Sequence, residues 1–496
     1  MKRAATVILP PIALPPRGTA PKYRQLYDWF QQAILSGRLR PGQRIPSTRI
    51  LARELGVSRL PLLNAFEQLQ AEGYFSSRVG SGTFVSSAIP DDQARPLPAA
   101  SPSDARALRP RTISRVSREL ESGMAPPWSG DSRAFRVSLP ALDRFPMEIW
   151  SRLLIHHSRR IRPDVMAYGE PMGYGPLREA IAGYLNVARG VRCQASQIMI
   201  TTGSQQGLQI ASRALLDPGS SIWVEDPHYP GARQGLILAG ARLIPVPVDQ
   251  DGMRVDLGIA RARNARAAYV TPSHQYPLGM TMSAARRLEL LQWAHKRGSW
   301  IIEDDYDSEY RFGNRPVTSV QGLDSAGRVI YIGTFSKVLY PSIRLGYVVV
   351  PRDLIRVFSA VRDAADLFSA TLLQAVLADF IREGHFARHL RRMRTLYMER
   401  RDFLLQAIQT HLGGVLQVAN SDAGMHLVAL LPRGISDQRI VREAATRGVE
   451  CLPLSGCYSG RGPLQGLILG FGGAGREEID SGVRNLALAL RAATQR

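Results

Sequence analysis

The chain has 496 residues, too many for one ordinary hydrophobic core, so two or more domains are expected. Its 63 Lys and Arg residues against 42 Asp and Glu give a formal net charge of +21, which favours a polyanionic partner such as nucleic acid. Three cysteines without a CxxC pair argue against a disulfide framework and a metal site, and no apolar run reaches the roughly 18 residues that span a bilayer, so we predict a cytoplasmic protein without a membrane segment.

Residues 21–85 predict three helices followed by a β-hairpin. Apolar residues recur every three or four positions in YRQLYDWFQQAILSG, which indicates an amphipathic helix that ends at Gly37. A second helix is expected after the cap Ser47, and a third begins at Ser58, with Pro61 in its first turn, where a missing N–H costs nothing. YFSSRVGSGTFV then predicts two short strands around a Gly-Ser-Gly turn. This order is that of a winged helix-turn-helix.

Residues 86–135 differ in composition from the segments on either side. They are rich in Pro, Ser, Ala and Arg and have no long apolar periodicity, so we predict a flexible linker. The stretch ARALRPRTISRVSR within it contains five arginines and no acidic residue. A solvated tether is the simplest interpretation, and contact with DNA phosphate is the alternative.

From residue 136 to 496, short β-branched runs alternate with helical stretches. The predicted strands are QIMITTG, SIWVEDP, RLIPVPV, AAYVTPS, SWIIEDD, RVIYIGTFS and LGYVVV. This alternation predicts an α/β domain with a largely parallel sheet, in which sites form at the carboxyl ends of the strands. MHLVALLP and GLILGFGG near the C-terminus predict a smaller α/β subdomain.

Residues 21–85 resemble the GntR family of bacterial regulators through the PSxR, LGVSR and GSGTFV motifs. The resemblance implies binding to double-stranded DNA. Arginines would reach phosphates or guanine edges, serines at helix starts would bind phosphate, and the wing tip would let the backbone approach the minor groove. The expected DNA-binding residues are Ser47, Arg49, Ser58, Arg59, Arg78, Gly80, Ser81, Gly82 and Thr83.

The third helix departs from the usual pattern of that family. Polar residues usually follow the Ser-Arg pair, whereas this chain has Leu60, Pro61, Leu62 and Leu63. The change removes hydrogen-bond donors from the recognition helix. Leucines could meet thymine methyl groups. Equally, base specificity could be weak and depend on two half-sites read by a dimer.

Lys337, in YIGTFSKVLYPSIRLGY, is followed seven positions later by Arg344. An aldehyde cofactor with a pyridine ring needs an amine, a carboxylate at its ring nitrogen, a stacking aromatic ring and donors for its phosphate. The lysine would supply the Schiff-base amine. Asp304 in WIIEDDYDSEYR would pair with the ring nitrogen, and Tyr306 could donate to the phenolic oxygen. Tyr229 in VEDPHYPG is the expected stacking ring.

Donors for the phosphate are expected where a strand turns into a helix, in ITTGSQQGLQIA. Backbone N–H groups there, with the positive end of the helix, would hold an anion. These residues are Gly203, Ser204 and Gln205. The donors that flank the lysine are Thr334, Ser336 and Arg344, the last by a charge-assisted fork.

The order of these motifs, together with YGEPMGYGPLREAIAGYL, resembles the class I aminotransferases of the fold-type I pyridoxal phosphate enzymes over most of residues 140–490. The resemblance implies pyridoxal 5'-phosphate as cofactor and a head-to-tail homodimer. SHQYPLG stands where those enzymes commonly have Asn-Pro-Thr-Gly, which brings Tyr276 and His274 into the expected cofactor site. A GntR-type reader joined by a long linker to an aminotransferase-like domain is the arrangement of the MocR family, which this chain resembles along nearly its whole length.

A second departure concerns the effector. Aminotransferases and many related regulators carry an arginine in an RLGF stretch that binds the substrate α-carboxylate, whereas this chain reads LILGFGG, with Ile468 in the arginine's place. Loss of a buried bidentate pair would weaken amino-acid binding by roughly 2 kcal/mol or more. Sensing of pyridoxal phosphate itself, as in PdxR-like members, therefore becomes more plausible, although Arg233 could substitute.

We therefore predict a pyridoxal-phosphate-dependent, DNA-binding transcriptional regulator that reads an operator with repeated half-sites. Its effector would be the cofactor itself, as in vitamin B6 regulation, or an amino acid bound as an external aldimine. We assign no catalytic residue. The alternatives are an active class I/II aminotransferase with an appended DNA-binding domain, which retention of Lys337 and Asp304 permits, and a domain that only dimerises.

Overall fold

The computed structural model forms two compact units, Met1–Thr112 and Ile113–Arg496. It describes residues 9–12, 20–78, 81–87, 112–122, 134–160, 163–313, 318–419, 422–460 and 462–494. None of the helices in these ranges combines the length and the hydropathy that a membrane-spanning segment requires. Residues 88–111 and 123–133, most of the predicted linker, lie outside the described ranges, so the domain boundaries at 85 and 135 stay predictions.

The N-terminal unit consists of three helices and a small antiparallel sheet. Its elements are α1 Lys22–Leu35, β1 Arg44–Ile45, α2 Thr48–Glu54, α3 Arg59–Ala71, β2 Phe75–Arg78 and β3 Gly82–Val85. The strand order is β1-β3-β2, so β2 and β3 form the predicted hairpin, and β1 adds a third strand that the sequence did not reveal. The unit is the predicted winged helix-turn-helix.

Local signals set the helix boundaries in this unit. The Oγ of Ser47 accepts a hydrogen bond from the N–H of Ile50 at the start of α2, as expected of a cap. Ser58 precedes α3, and Pro61 lies in the first turn of that helix. The predicted inward face of α3 is buried, at Leu62, Ala65, Phe66 and Leu69. The core is therefore built from the apolar spacing that the sequence shows.

One helix, α4 Arg115–Ser122, lies inside the segment predicted as a flexible linker. The Oγ of Ser114 accepts a hydrogen bond from the N–H of Ser117 at the start of this helix, at 3.0 Å. The sequence did not reveal the helix because its face toward the protein has only two apolar residues, Val116 and Leu120, within a run rich in Arg and Ser. A pair of apolar residues four positions apart is a weak signal.

The C-terminal unit alternates strands and helices as predicted. In chain order after α4 it contains α5 Met147–Arg159, α6 Pro163–Met166, α7 Gly175–Ala188, β4 Ile198–Thr201, α8 Ser204–Leu215, β5 Ser221–Asp226, α9 Pro230–Leu238, β6 Arg242–Asp249, β7 Gly252–Met253, α10 Val255–Ala262, β8 Ala267–Val270, α11 Ala284–Arg297, β9 Trp300–Asp305, α12 Val320–Leu323, β10 Val329–Thr334, β11 Gly346–Val349, α13 Ile355–Asp366, α14 Thr371–Arg382, α15 His385–Leu412, β12 Gln417–Val418, β13 His426–Leu430, α16 Asp437–Ala445, β14 Leu452–Pro453, β15 Gly466–Gly470 and α17 Arg476–Thr494.

The large sheet has the order β4-β11-β10-β9-β8-β5-β6-β7. Strands β10, β9, β8, β5 and β6 pair in parallel, whereas β11 is antiparallel to both of its neighbours and β7 is antiparallel to β6. The seven predicted strands are all present, and the largely parallel sheet is confirmed. Because parallel strands end at one edge of a sheet, the residues that follow β8, β9 and β10 are brought close together.

A second sheet, with the order β12-β13-β15-β14, forms the smaller C-terminal subdomain. All of its pairs are antiparallel. The segment that enters the C-terminal unit lies beside it, where the carbonyl of Phe135 accepts a hydrogen bond from the N–H of Gly470 at 3.0 Å. This contact holds the following residues, including Ser138, against the interior of the unit.

Candidate functional site

One cavity lies at the carboxyl ends of the parallel strands, and it collects most of the residues predicted to bind a cofactor. The predicted residues that line it are Gly203, Ser204, Gln205, Tyr229, Tyr276, Asp304, Tyr306, Thr334, Ser336, Lys337 and Arg344. His274 does not line the cavity, but its Nδ1 makes a hydrogen bond with the hydroxyl of the lining residue Tyr306. Sequence reasoning missed four lining residues, which are Ser138, Tyr269, Thr271 and Pro341.

Asp304, at the end of β9, is a buried carboxylate with one free oxygen. Its Oδ2 accepts a hydrogen bond from the hydroxyl of Tyr269 at 2.7 Å. Its Oδ1 is buried and has no hydrogen-bond partner among the described residues. Burial raises the pKa of Asp304 to about 6, although the Tyr269 hydrogen bond and the Lys337 charge oppose the shift. A protonated pyridine nitrogen would satisfy this oxygen and stabilise the ionised carboxylate.

Lys337, three residues beyond β10, has its amine inside the same cavity. Its Nζ lies 3.4 Å from the carbonyl oxygen of Ser138, to which it donates a hydrogen bond. Burial lowers the pKa of Lys337 to about 8, and the charge of Arg344 lowers it further, while Asp307 and Asp304 act in the opposite direction. The amine is therefore much more often neutral near pH 7 than an exposed lysine would be.

The start of α8 and Arg344 form the part of the cavity where a phosphate would bind, called the phosphate end below. Gly203 precedes this helix with φ +114°, and a side-chain carbon there would lie 3.3 Å from the Arg344 guanidinium. The absence of a side chain lets an anion reach both the guanidinium and the helix N–H groups. Thr334 and Ser336 also line the cavity, and the Oγ1 of Thr334 accepts a hydrogen bond from the N–H of Ser336 at 3.2 Å.

Aromatic rings form the walls of the cavity. Tyr229, at the start of α9, meets the ring of Tyr276 edge-on, with centroids 5.3 Å apart. Tyr306 lies on the other side of Tyr276, with centroids 6.0 Å apart. Burial raises the pKa of both Tyr276 and Tyr306 well above the ordinary tyrosine value, so both hydroxyls stay protonated and can donate hydrogen bonds near neutral pH.

Behind Tyr306 lies a buried polar cluster of His274, Asp307 and His426. The Nδ1 of His274 is 3.0 Å from both the Tyr306 hydroxyl and the Asp307 Oδ1. The Nε2 of His426 is 3.1 Å from the carbonyl oxygen of Pro277. Each of these three residues offers one potential metal-ligand atom within 4.8 Å of the others, and each also makes a hydrogen bond within the protein. The cluster supports the orientation of Tyr306.

Ile468, which stands in the place of the expected arginine, does not line the cavity. Ile468 on β15 is fully buried and packs in a cluster with Val137, Tyr276 and Cys457. Arg233, the other arginine considered, does not line the cavity, and its Nη2 donates to Glu119 on α4 at 3.1 Å. Arg344, at the phosphate end, is the only arginine among the described residues that line the cavity.

Together, these residues fit pyridoxal phosphate. The unpartnered Oδ1 of Asp304 matches a ring nitrogen, the Gly203 opening matches a phosphate, and the Lys337 amine matches an aldehyde. When bound, the cofactor supplies an electrophilic aldehyde and a ring that withdraws electrons. The chain would supply the amine, the charge that neutralises the ring nitrogen and the donors that fix the orientation.

The DNA-binding residues predicted from the sequence lie at the helix starts and on the wing. Arg49 and Arg59 are exposed, and the Nε of Arg59 donates to the Oγ1 of Thr48 at 3.2 Å. The guanidinium of Arg78 lies 5.4 Å from the ring of Phe84. Ser47 and Ser58 immediately precede α2 and α3, and Ser81, Gly82 and Thr83 lie at the wing tip. Gly80 lies outside the described residues.

Sequence reasoning missed Arg44 on the wing. Its Nε would lie 3.3 Å from a side-chain carbon placed at Gly82, so its charge lies at the wing tip. The signal was absent because β1 has only two residues and shows no alternation.

The pH dependence of cofactor attachment follows from the buried amine. With a pKa of about 8, roughly one Lys337 amine in ten is neutral at pH 7, and only the neutral amine attacks an aldehyde. We expect the rate of pyridoxal phosphate incorporation into apo-protein to rise about tenfold between pH 6 and 7 and to level off above pH 8. Stopped-flow absorbance measures it, with Nα-acetyl-lysine and Lys337→Ala as controls. A rate that keeps rising to pH 10, as for the free amine, would contradict the assignment.

Comparison with known proteins agrees with both units. The model for "Bacterial regulatory proteins, gntR family" matches residues 22–85, and that for "Aminotransferase class I and II" matches residues 148–464. The chain is 42% identical over 472 residues to the probable rhizopine catabolism regulatory protein MocR of Rhizobium meliloti, covering 95% of this chain and 94% of that one. It is 31% identical over 464 residues to the pyridoxine biosynthesis regulator PdxR of Corynebacterium glutamicum, covering 93% and 94%.

Solved structures give the same result for the C-terminal unit. LysN, the α-aminoadipate aminotransferase of Thermus thermophilus, solved with N-(5'-phosphopyridoxyl)-L-leucine, is 30% identical with a TM-score of 0.68. The match covers 77% of this chain and 96% of that one. The cofactor-binding fold is therefore that of class I and II aminotransferases. With its GntR-type DNA-binding unit and this domain in one chain, the protein belongs to the MocR family of pyridoxal-phosphate-binding transcriptional regulators.

Proposed function

We propose that the effector of this regulator is pyridoxal phosphate itself and that no amino acid is needed for the signal. The observation that carries the proposal is that Arg344 is the only arginine among the described residues that line the cavity, whereas Ile468 is buried in an apolar cluster that shares only Tyr276 and Tyr306 with the lining. An amino acid bound in the cavity beside the cofactor would bury its carboxylate without a cation of its own. Burying an unpaired charge costs several kcal/mol, because water no longer solvates it.

The charges that line the cavity are fully accounted for by the cofactor. Arg344 and the start of α8 match the phosphate, Asp304 matches the ring nitrogen, and Lys337 matches the aldehyde. No further cation among the described lining residues is left for a second anionic group. The relative PdxR of Corynebacterium glutamicum is named as a regulator of pyridoxine biosynthesis, which supports the same class of effector.

An active aminotransferase is the second candidate function. Lys337 and the unpartnered oxygen of Asp304 favour it, because these are the groups that hold and activate a pyridoxal ring. The absence of a second arginine among the described lining residues opposes it, because turnover of an amino acid requires that its carboxylate be held in a fixed position. We therefore propose a sensor in which any transamination is residual.

The proposed partners follow from the two units. The winged helix-turn-helix would bind double-stranded DNA, and a head-to-tail homodimer would present two of these units to an operator with repeated half-sites. A regulator of bacterial DNA acts in the cytoplasm. Occupancy of the cavity alters DNA binding only if the cofactor has different affinities for two arrangements of the dimer.

A chain of contacts leads from the cavity to the linker. Gln205, which lines the cavity, donates from its Nε2 to the carbonyl of Gly231 on α9 at 2.8 Å. On the same helix, Arg233 donates to Glu119 of α4 at 3.1 Å. We propose that α9 carries the effect of cofactor binding to α4, the described helix of the segment that leads to the DNA-binding unit.

The effector proposal is tested with pyridoxal phosphate and amino acids separately. We expect the cofactor alone to change the affinity of full-length protein for its operator at least fivefold at one fixed salt concentration, as is typical of a coupling of about 1–3 kcal/mol. Adding any of the twenty amino acids should change neither that affinity nor the absorbance of the bound cofactor. Fluorescence anisotropy measures the affinity, and Lys337→Ala is the control. A response that appears only after an amino acid is added would contradict the proposal, and rapid keto-acid release would favour the enzyme.

The path through α9 is tested by a charge swap. Arg233→Glu and Glu119→Arg should each reduce the cofactor-induced change in DNA affinity by up to about fivefold, since an exposed ion pair contributes at most about 1 kcal/mol. The double variant, which restores opposite charges, should recover the response. Cofactor absorbance should be unchanged in all three proteins. Single variants that respond to the cofactor like the wild type would show that this contact carries no signal.

A further inference from the structure

The exposed face of the recognition helix α3 has an unusual composition. Leu60, in its first turn, is 65% exposed, whereas Leu62 is fully buried. Spacings of four and three residues place Asn64 and Glu67 on the same face of the helix, and both are exposed. This face therefore presents one aliphatic side chain, one amide and one carboxylate. Amides and carboxylates recognise base edges in the major groove, and an aliphatic group matches the thymine methyl group.

Leu60 is placed at the position where a helix-turn-helix reads bases. The N-terminal residues of a recognition helix contact base edges, while the preceding helix crosses the DNA backbone. The neighbouring Arg59 is held by its hydrogen bond to Thr48 at the start of α2, which directs its guanidinium toward the preceding helix. In the first turn of α3, the side chain available to contact a base is therefore that of Leu60 rather than that of Arg59.

We infer that Leu60 is a specificity-determining residue that recognises the C5-methyl group of a thymine in each operator half-site. The contact would bury an aliphatic group that is exposed in the free protein, and it needs no hydrogen-bond donor. Two of the leucines after the Ser-Arg pair thus have different roles. Leu62 packs in the core, and Leu60 reads DNA. This inference rests on the DNA-binding assignment and does not depend on which effector the C-terminal unit senses.

Replacement of thymine by deoxyuridine tests the inference, because it removes the methyl group and leaves the Watson–Crick hydrogen bonds. Duplexes selected from a random pool by full-length, cofactor-loaded protein would be resynthesised with deoxyuridine at one thymine position at a time. At one position in each half-site, wild-type protein should lose affinity about fourfold, since a methyl-sized group contributes about 0.8 kcal/mol. Leu60→Ala should bind the thymine and deoxyuridine duplexes equally at that position.

Ile50 provides the matched control. It is 51% exposed and also aliphatic, but it lies on α2, the helix expected to cross the backbone. Ile50→Ala should keep the wild-type difference between thymine and deoxyuridine. The inference is overturned if no single thymine position is sensitive, or if Leu60→Ala retains the same sensitivity. Failure of full-length protein to select any duplex would contradict the DNA-binding assignment itself, and the inference with it.

Discussion

A carboxylate buried with one oxygen unpartnered is costly, and the C-terminal unit is organised around such a group at Asp304. The Tyr269 hydroxyl satisfies one of its oxygens, and the second is left for a ligand. Burial raises the pKa of this carboxyl to about 6, so a cationic ring nitrogen beside it restores the charged form and releases part of the cost of burial. The same burial lowers the pKa of the Lys337 amine to about 8. The cavity therefore favours a ligand with a basic ring and an aldehyde.

The sheet determines that these groups meet. Asp304 is the second-last residue of β9 and Lys337 follows β10. The two strands are parallel neighbours, with Ile332 opposite Asp304. The start of α8 follows β4, which is separated from β10 by β11. Because β11 is antiparallel to both, β4 and β10 end at the same edge of the sheet. Ile468 on β15 of the second sheet is buried in an apolar cluster and does not line the cavity. The cavity thus has the groups that a pyridoxal ring and its phosphate require, but its described lining residues include no further cation for an amino-acid carboxylate.

Much of this arrangement could be predicted from the sequence, because strand ends and helix caps have local signals. The Ser47 cap, the seven strands and the residues around Lys337 are of this kind. Tyr269 was missed because it lies within the strand β8, where an aromatic residue ordinarily indicates core packing. Ser138 was missed because it reaches the cavity through the pairing of distant segments, and Arg44 because its strand has two residues. The helix α4 has too few apolar residues to be recognised without its partner α9.

The central claim is that occupancy of the Lys337 site by pyridoxal phosphate is itself the regulatory signal. The most direct measurement is a co-titration, in which absorbance of the lysine-bound cofactor and affinity for operator DNA are recorded on the same samples as cofactor is added to apo-protein. Our account predicts that the two curves share one midpoint and that Lys337→Ala abolishes both. A DNA affinity that stays constant while the absorbance saturates would contradict it.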